Sequence, residues 1–166
     1  MLRKLFAAVL LVVSFAASAQ RSEILLEKNW KFHRGDAENA QTVAYDDASW
    51  QNVTVPHDWA IYGPFSRDND LQYKQVVENG ETKATWKTGR TGGLPYEGVG
   101  WYRTSFDASK SGRTTLIFDG AMSEARVYVN GKEVIFWPYG YSSFHIDVTE
   151  YLTADGKNNV LAVRLE

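Results

Sequence analysis

The dipeptide Asn130-Gly131 is the feature of this sequence that most restricts its fold. It stands between EARVYV and KEVIF, two runs rich in β-branched and aromatic residues. Both turn residues tolerate the positive φ angles of a type I′ turn, so this arrangement predicts a two-residue β-hairpin. Because side chains alternate between the faces of a strand, Ala125, Val127 and Val129 are expected to share one face.

Further strand patterns lie on both sides of this hairpin. Trp30 and Phe32 alternate with polar residues, and QNVTV is typical of a strand that Pro56 stops, because proline cannot donate to a sheet ladder. Beyond residue 100 the runs WYRTSF, TTLIF, SSFHIDV and NNVLAVRLE add further strands. About eight strands, regular turn signals and almost no helix predict an all-β, antiparallel sandwich or barrel.

The stretch from residue 60 to residue 100 follows a different pattern. It contains Gly63-Pro64, Asn79-Gly80 and Gly92-Gly93, and it has no periodic pattern beyond a weak LQYKQVV. Irregular stretches of about forty residues are unusual in compact domains, where they are either functional or disordered. We therefore predict a long irregular segment here.

The first nineteen residues have the three parts of an export signal. Arg3 and Lys4 give a basic start, LFAAVLLVVSFAA is apolar, and ASA at positions 17–19 is a pattern that signal peptidase cleaves. A membrane anchor is disfavoured, because the apolar run is shorter than the roughly 20 residues of a spanning helix. We predict a signal peptide at 1–19, one mature domain at 20–166, and a periplasmic or secreted protein that does not stay in the membrane.

The composition argues against several other classes of function. The chain has no cysteine, so disulfides and thiolate metal sites are excluded. It carries 18 basic and 20 acidic residues without a basic cluster, which argues against nucleic acid as a partner. Aromatic residues make up 14% of the chain, which suits both a β-rich core and the stacking of sugar rings.

The segment VPHDW raises the question of a catalytic dyad. A catalytic histidine needs a nucleophile within hydrogen-bond reach, and the chain has neither a G-x-S-x-G motif nor a cysteine. His57 and Asp58 would also point to opposite faces of a strand. We therefore favour a structural role, in which Asp58 accepts backbone N–H bonds and Trp59 anchors the start of the following loop.

Neither a metal site nor a pair of glycosidase carboxylates stands out. The three histidines are widely spaced and lack zinc-ligand spacing, while Asp68 and Asp70 resemble only the start of a calcium loop. A glycosidase needs two carboxyl groups across the sugar, and no acid here stands in a setting that singles it out. The acids weighed for this role are Glu97, Asp119, Glu124 and Asp147. We predict no catalytic residue, no metal and no cofactor in this chain.

Three other polar residues are expected to have structural roles. Arg103 is expected to pair with an acid of a neighbouring strand. Asp147 and Thr149 are expected to bond to the backbone where DVTEYL turns.

Five motifs together resemble the N-terminal domain of family-two glycoside hydrolases, the β-galactosidase, β-glucuronidase and β-mannosidase group. In chain order they are VPHDW, GVGWYRTSF, TTLIFDGAMSEARVYVNGKEV, GYSSFHIDVTEYL and NNVLAVRLE. PHDW and TGGLPYEGVGWYR look most like the exported β-galactosidase-type members. The resemblance implies a jelly-roll β-sandwich, called the sugar-binding domain, which an immunoglobulin-like sandwich and a TIM barrel with the two catalytic glutamates follow. The chain ends directly after a strand, so we expect a fragment or a shortened reading frame that is inactive alone.

The resemblance also implies a role for the long segment, since loops of this domain help to form the pocket for the terminal sugar. By position, residues 61–98 are the best candidate. The side chains suited to hydroxyl bonding or ring stacking are Asp68, Asn69, Asp70, Trp86, Arg90 and Tyr96. The expected partners are a carbohydrate and the downstream domains of the same enzyme. The alternatives are an insertion without sugar contacts, a free-standing carbohydrate-binding module, and a structural or adhesion domain.

Overall fold

The computed structural model describes residues 21–62, 65–66, 68, 71–88 and 98–166, so the predicted signal peptide lies outside the described residues. Ten β-strands form in these ranges, and the only helical elements described are two short 3₁₀ turns, at residues 60–62 and 149–151. The strands are β1 (Trp30–Arg34), β2 (Gln51–Val53), β3 (Leu71–Glu78), β4 (Glu81–Thr88), β5 (Gly100–Phe106), β6 (Thr115–Phe118), β7 (Ala125–Val129), β8 (Lys132–Trp137), β9 (Phe144–Asp147) and β10 (Asn159–Leu165).

The strands form one large sheet and two small ones, and every pairing is antiparallel. Six strands make the large sheet, in the order β2-β1-β5-β10-β7-β8. Strands β6 and β9 pair separately, and β3 pairs with β4. The prediction of an all-β, antiparallel jelly-roll sandwich is confirmed.

The main core lies between the six-stranded sheet and the β6–β9 pair. Ala125, Val127 and Val129 share the inner face of β7 and are each 0% exposed, as their alternation predicts. Leu116 from β6 and Ile146 from β9 approach them from the other layer and belong to the same buried cluster. The two sheets are therefore two layers closed over one apolar core.

The predicted hairpin joins β7 to β8. Asn130 and Gly131 have φ angles of 50° and 83°, which is the left-handed region that a type I′ turn requires. The Asn130 side chain also reaches inward, where Nδ2 donates to the Tyr151 carbonyl at 2.8 Å and Oδ1 accepts from the Val160 N–H at 2.9 Å. The turn residue thus links the hairpin to two other parts of the sandwich.

A second cluster covers the outer face of the large sheet. Ala40 and Trp50, from the loop between β1 and β2, pack on Trp101 and Ala162. Arg103, whose side chain is only 4% exposed, donates from Nε to Asp47 Oδ2 at 2.8 Å and from Nη1 to the carbonyls of that loop. The expected acid therefore comes from a loop and not from a neighbouring strand, because β5 is flanked by loop backbone on this face.

Two further local predictions can be compared with the structure. Asp147 Oδ1 accepts bonds from the Thr149 N–H at 3.0 Å and from Thr149 Oγ1 at 2.6 Å, which confirms the expected turn. Strand β2, in contrast, ends at Val53 and not at Pro56. The ladder ends earlier because the Val55 N–H donates to the Glu27 carbonyl, which lies outside the sheet.

Candidate carbohydrate-binding surface

The segment expected to be irregular contains a β-hairpin, which corrects that prediction. Strands β3 and β4 pair over their full length, from Leu71 opposite Thr88 to Glu78 opposite Glu81. Asn79 and Gly80 form the connection, with φ angles of 53° and 81°. The same dipeptide rule that identified the β7–β8 hairpin therefore applies a second time. Neither strand pairs with any other described strand.

An aromatic pair occupies one face of this hairpin. Tyr73 lies directly opposite Trp86, and the two rings have centroids 5.2 Å apart with planes inclined at 53°. Both side chains are open to solvent, at 62% and 61% exposure. Two exposed aromatic rings therefore lie side by side on this face of the hairpin.

The two faces of the hairpin differ sharply in charge. All five charged residues of β3 and β4 belong to one face, by the alternation of each strand and the register between them. They are Lys74, Glu78, Glu81, Lys83 and Lys87. The aromatic face consists of uncharged residues. They are Leu71, Tyr73, Gln75, Val77, Thr82, Ala84 and Trp86.

The structure places only some of the six predicted sugar-binding residues. Trp86 lies on the exposed aromatic face of β4. Asp68 is exposed in a turn, where its backbone N–H donates to Ser66 Oγ at 3.1 Å. The other four, Asn69, Asp70, Arg90 and Tyr96, lie outside the described residues.

Tyr73 was not among the predicted residues, although the sequence contained the signal for it. Tyr73 and Trp86 are equally far from the two turn residues Asn79 and Gly80, so a hairpin closed at that dipeptide makes them direct neighbours. The signal was weak because the alternation of apolar residues in β3 is interrupted at Gln75.

The VPHDW segment precedes the β3–β4 hairpin in the chain and packs against the sandwich. The Tyr102 hydroxyl lies 2.8 Å from Nδ1 of His57, and Asp58 Oδ1 accepts the Ala60 N–H at 2.9 Å. Trp59 stacks on Phe32, with ring centroids 5.3 Å apart. Asp58 thus bonds to the backbone and Trp59 anchors the following segment, so the structural interpretation of this motif is confirmed.

The electrostatics of these residues fit a packing role. Burial lowers the pKa of His57, an effect that Asp58 opposes and Arg34 adds to. Burial, together with the charge of Asp58, raises the pKa of Tyr102 well above its ordinary value. Both side chains are therefore held in their neutral forms around neutral pH.

Every described carboxyl group whose pKa is shifted has a lowered pKa, which does not suit a general acid. A general acid that works near neutral pH needs a raised pKa. The hydrogen bonds from Thr149 lower the pKa of Asp147, and bonds from Asn158 and Lys157 lower that of Asp107. The pKa values of Asp36 and Asp155 are lowered in the same way, by bonds from Trp101 and Lys157 respectively.

A cleft on the described part of the chain contains the carboxyl groups of Asp147 and Glu150. It is open, holds about 530 Å³ and is also lined by Arg113 and Thr149. Its Asp147 is paired with Arg113 at 3.2 Å. Among the described residues no cluster of three or more His, Asp or Glu side chains could hold a metal ion. Nor does the described part of the chain contain a helix long and apolar enough to cross a membrane.

The described part of the chain is an antiparallel β-sandwich that carries an exposed aromatic hairpin. The family model described as glycosyl hydrolases family 2, sugar binding domain, matches residues 24–165. The chain therefore belongs to this family.

Individual relatives agree with this assignment. A β-galactosidase of Bacteroides ovatus, BoGH2A, is 35% identical over 156 residues, which are 92% of this chain and 16% of that protein. A β-glucuronidase of Formosa agariphila is 28% identical over 151 residues, 89% of this chain and 14% of that protein. The crystal structure of a family-two glycosyl hydrolase from Bacteroides cellulosilyticus superimposes with a TM-score of 0.63 at 32% identity, covering 87% of this chain and 17% of that one. The chain thus spans about one-sixth of the length of the relatives it matches.

Proposed function

We propose that this chain is the sugar-binding domain of an exported glycoside hydrolase of the β-galactosidase type, which cleaves terminal O-glycosidic bonds. The catalytic glutamates belong to a barrel domain encoded elsewhere in the same polypeptide. The match of the family over residues 24–165 carries the proposal. A β-galactosidase and a putative β-glucuronidase are each 35% identical to this chain, so the choice of the β-galactosidase reaction rests on the PHDW and TGGLPYEGVGWYR motifs.

The segment between residues 61 and 98 contributes to the pocket for the terminal sugar. Trp86, with its neighbour Tyr73, supplies ring stacking, and Asp68, Asn69, Asp70, Arg90 and Tyr96 supply hydroxyl contacts. The exposed Tyr73–Trp86 pair supports this role, because 61–62% exposure is unusual for two large aromatic side chains unless another surface or a ligand covers them.

The test is to express the complete coding sequence from its own start codon. We expect hydrolysis of nitrophenyl β-galactoside by the complete product, weaker hydrolysis of the β-glucuronide and β-mannoside, and no hydrolysis by the 166 residues alone. Turnover by those residues alone would contradict the assignment of the catalytic groups to another domain. A stop codon directly after codon 166 would instead favour a free-standing carbohydrate-binding module.

Export is part of the same proposal. Signal peptidase is expected to cleave after Ala19, so that the mature protein begins at Gln20 and is periplasmic or secreted. N-terminal sequencing of protein from the periplasm and the medium measures this. Replacement of Ala19 by Arg should leave the precursor uncleaved, whereas an intact N-terminus in the wild-type protein would refute the signal peptide.

A further inference from the structure

We infer that the aromatic face of the β3–β4 hairpin is a platform for several consecutive neutral glycosyl units of an oligosaccharide. This inference rests on the proposed function and specifies its substrate class. The saccharide chain would lie along the hairpin and continue beyond the terminal sugar. Uronic acid units are expected to be disfavoured on this surface.

The aromatic face of the β3–β4 hairpin exposes apolar side chains that favour contact with a ligand. A two-stranded hairpin is marginally stable alone in water, and one face of this hairpin leaves Leu71 41%, Tyr73 62% and Val77 73% exposed. These side chains share one face of β3, where the exposed Gln75 lies between Tyr73 and Val77, so together they form a row of mixed apolar and polar character. A row of this kind fits an extended ligand better than a single sugar.

The aromatic face also carries hydrogen-bonding side chains. Gln75 and Thr82 lie on the same face as the aromatic pair and offer amide and hydroxyl groups. A pyranose has both apolar C–H faces and equatorial hydroxyls, so it can use rings and polar groups together. An aliphatic protein surface would leave the two polar side chains unpaired, which disfavours protein docking here.

The charged side chains of the hairpin are separated from the aromatic face. A carboxylate is recognised by Arg or Lys through charge-assisted hydrogen bonds. The three lysines of the hairpin are all on the opposite face, and two of them are paired there, Lys83 with Glu81 at 3.0 Å and Lys87 with Glu78 at 3.3 Å. A uronate on the aromatic face would lose hydration without gaining a cation from the hairpin. The relatives include proteins named β-galactosidase and β-glucuronidase, and this face favours the neutral class.

The experiment is a calorimetric titration of the purified chain with galactose, with linear β-galacto-oligosaccharides of two and four units, and with oligogalacturonates of the same lengths. We expect about tenfold tighter binding of the tetramer than of galactose, which corresponds to about 1.4 kcal/mol, and weaker binding of the acidic series. Trp86→Ala and Tyr73→Ala should each remove that gain. Lys74→Ala, on the opposite face of β3, is the matched control and should leave the gain unchanged.

A second variant separates the platform from a general loss of structure. Val77→Glu places a negative charge at the turn end of the row, away from the aromatic pair, and should weaken the tetramer without weakening galactose. Far-ultraviolet circular dichroism should show the same β signal for all variants. Equal affinity for galactose and the tetramer, an acidic series that binds as well as the neutral one, or no binding at all would each overturn the platform. None of these results affects the hydrolysis expected of the complete gene product, which tests the proposed function separately.

Discussion

The side chain of Asn130 donates from Nδ2 to Oδ1 of Asn159 at 2.9 Å, which joins the β7–β8 turn to the start of β10. Asn159 is 0% exposed. Its Oδ1 also accepts the Thr153 N–H at 2.8 Å, and its Nδ2 donates to the Gly156 and Phe106 carbonyls at 2.9 and 3.3 Å. One buried amide thus bonds to three parts of the chain at this end of the sandwich, which are the β7–β8 turn, the loop at residues 153–156 and the end of β5.

Replacing Asn159 by Ala should therefore be strongly destabilising. The substitution leaves several buried donors and acceptors without partners, and each such group costs about 1–3 kcal/mol. We expect the free energy of unfolding to fall by about 3 kcal/mol in urea titrations, with an unchanged dependence on urea concentration. Asn158→Gly is the control, because Asn158 has a φ of 50° that glycine adopts freely, and it should change stability little. A loss of under 0.5 kcal/mol for Asn159→Ala would contradict this account of the network.

Even a conservative replacement of Arg103 should lower the stability of the protein. Its guanidinium bonds to Asp47 and to the Thr42 carbonyl at 3.1 Å, and it lies 5.4 Å from the centre of the Tyr45 ring. A lysine cannot reproduce this planar set of donors, so Arg103→Lys should destabilise the protein by about 2 kcal/mol. Hydrogen exchange should show faster exchange within residues 36–50, the loop that Arg103 holds. Arg113→Lys, at an exposed pair with Asp147, is the control and should leave both measurements unchanged.

The sequence predicted the features that depend on residues close together along the chain, and it missed contacts between residues far apart along the chain. The Asn130-Gly131 turn and the buried row of β7 follow from rules that act over a few residues, and the structure confirms them. The same rule applied to Asn79-Gly80 would have predicted β3 and β4, but the charged face and Gln75 obscured the alternation. The partner of Arg103 is 56 residues away in a loop, and that of His57 is 45 residues away in β5. No local pattern encodes those contacts, so only the three-dimensional structure identifies them.

The stability of the protein should fall in mild acid because of His57. Burial keeps the pKa of this imidazole below its ordinary 6.5, so the unfolded chain takes up a proton at a higher pH than the folded chain does. The unfolded state then binds more protons below pH 6.5, and the free energy of unfolding declines until the pH reaches the depressed folded pKa. The aspartates with lowered pKa values act in a separate window, below their ordinary 3.8.

Urea titrations at pH 7.5 and pH 5.5 measure this effect. His57→Gln should reduce the loss of stability between the two pH values, because glutamine does not titrate. His145→Gln changes an exposed histidine on β9 and should leave the loss as it is. An identical pH dependence for wild type and His57→Gln would show that another group is responsible.

Any replacement of Gly100 should lower the stability of the protein, because the Trp59 ring occupies the space that a side chain at position 100 would need. A Cβ built on Gly100 would lie 2.3 Å from Cζ3 of Trp59, which is well inside van der Waals contact. Gly100→Ala must therefore displace the ring from Phe32, and overpacking of this kind costs about 1–3 kcal/mol. Gly112→Ala is a matched control, since a Cβ at Gly112 would meet no atom within 4 Å. Because Trp59 anchors the segment that leads to the β3–β4 hairpin, Gly100→Ala should also weaken oligosaccharide binding, whereas Gly112→Ala should not. If Gly100→Ala lowers stability and leaves that binding intact, the hairpin is held in place independently of Trp59.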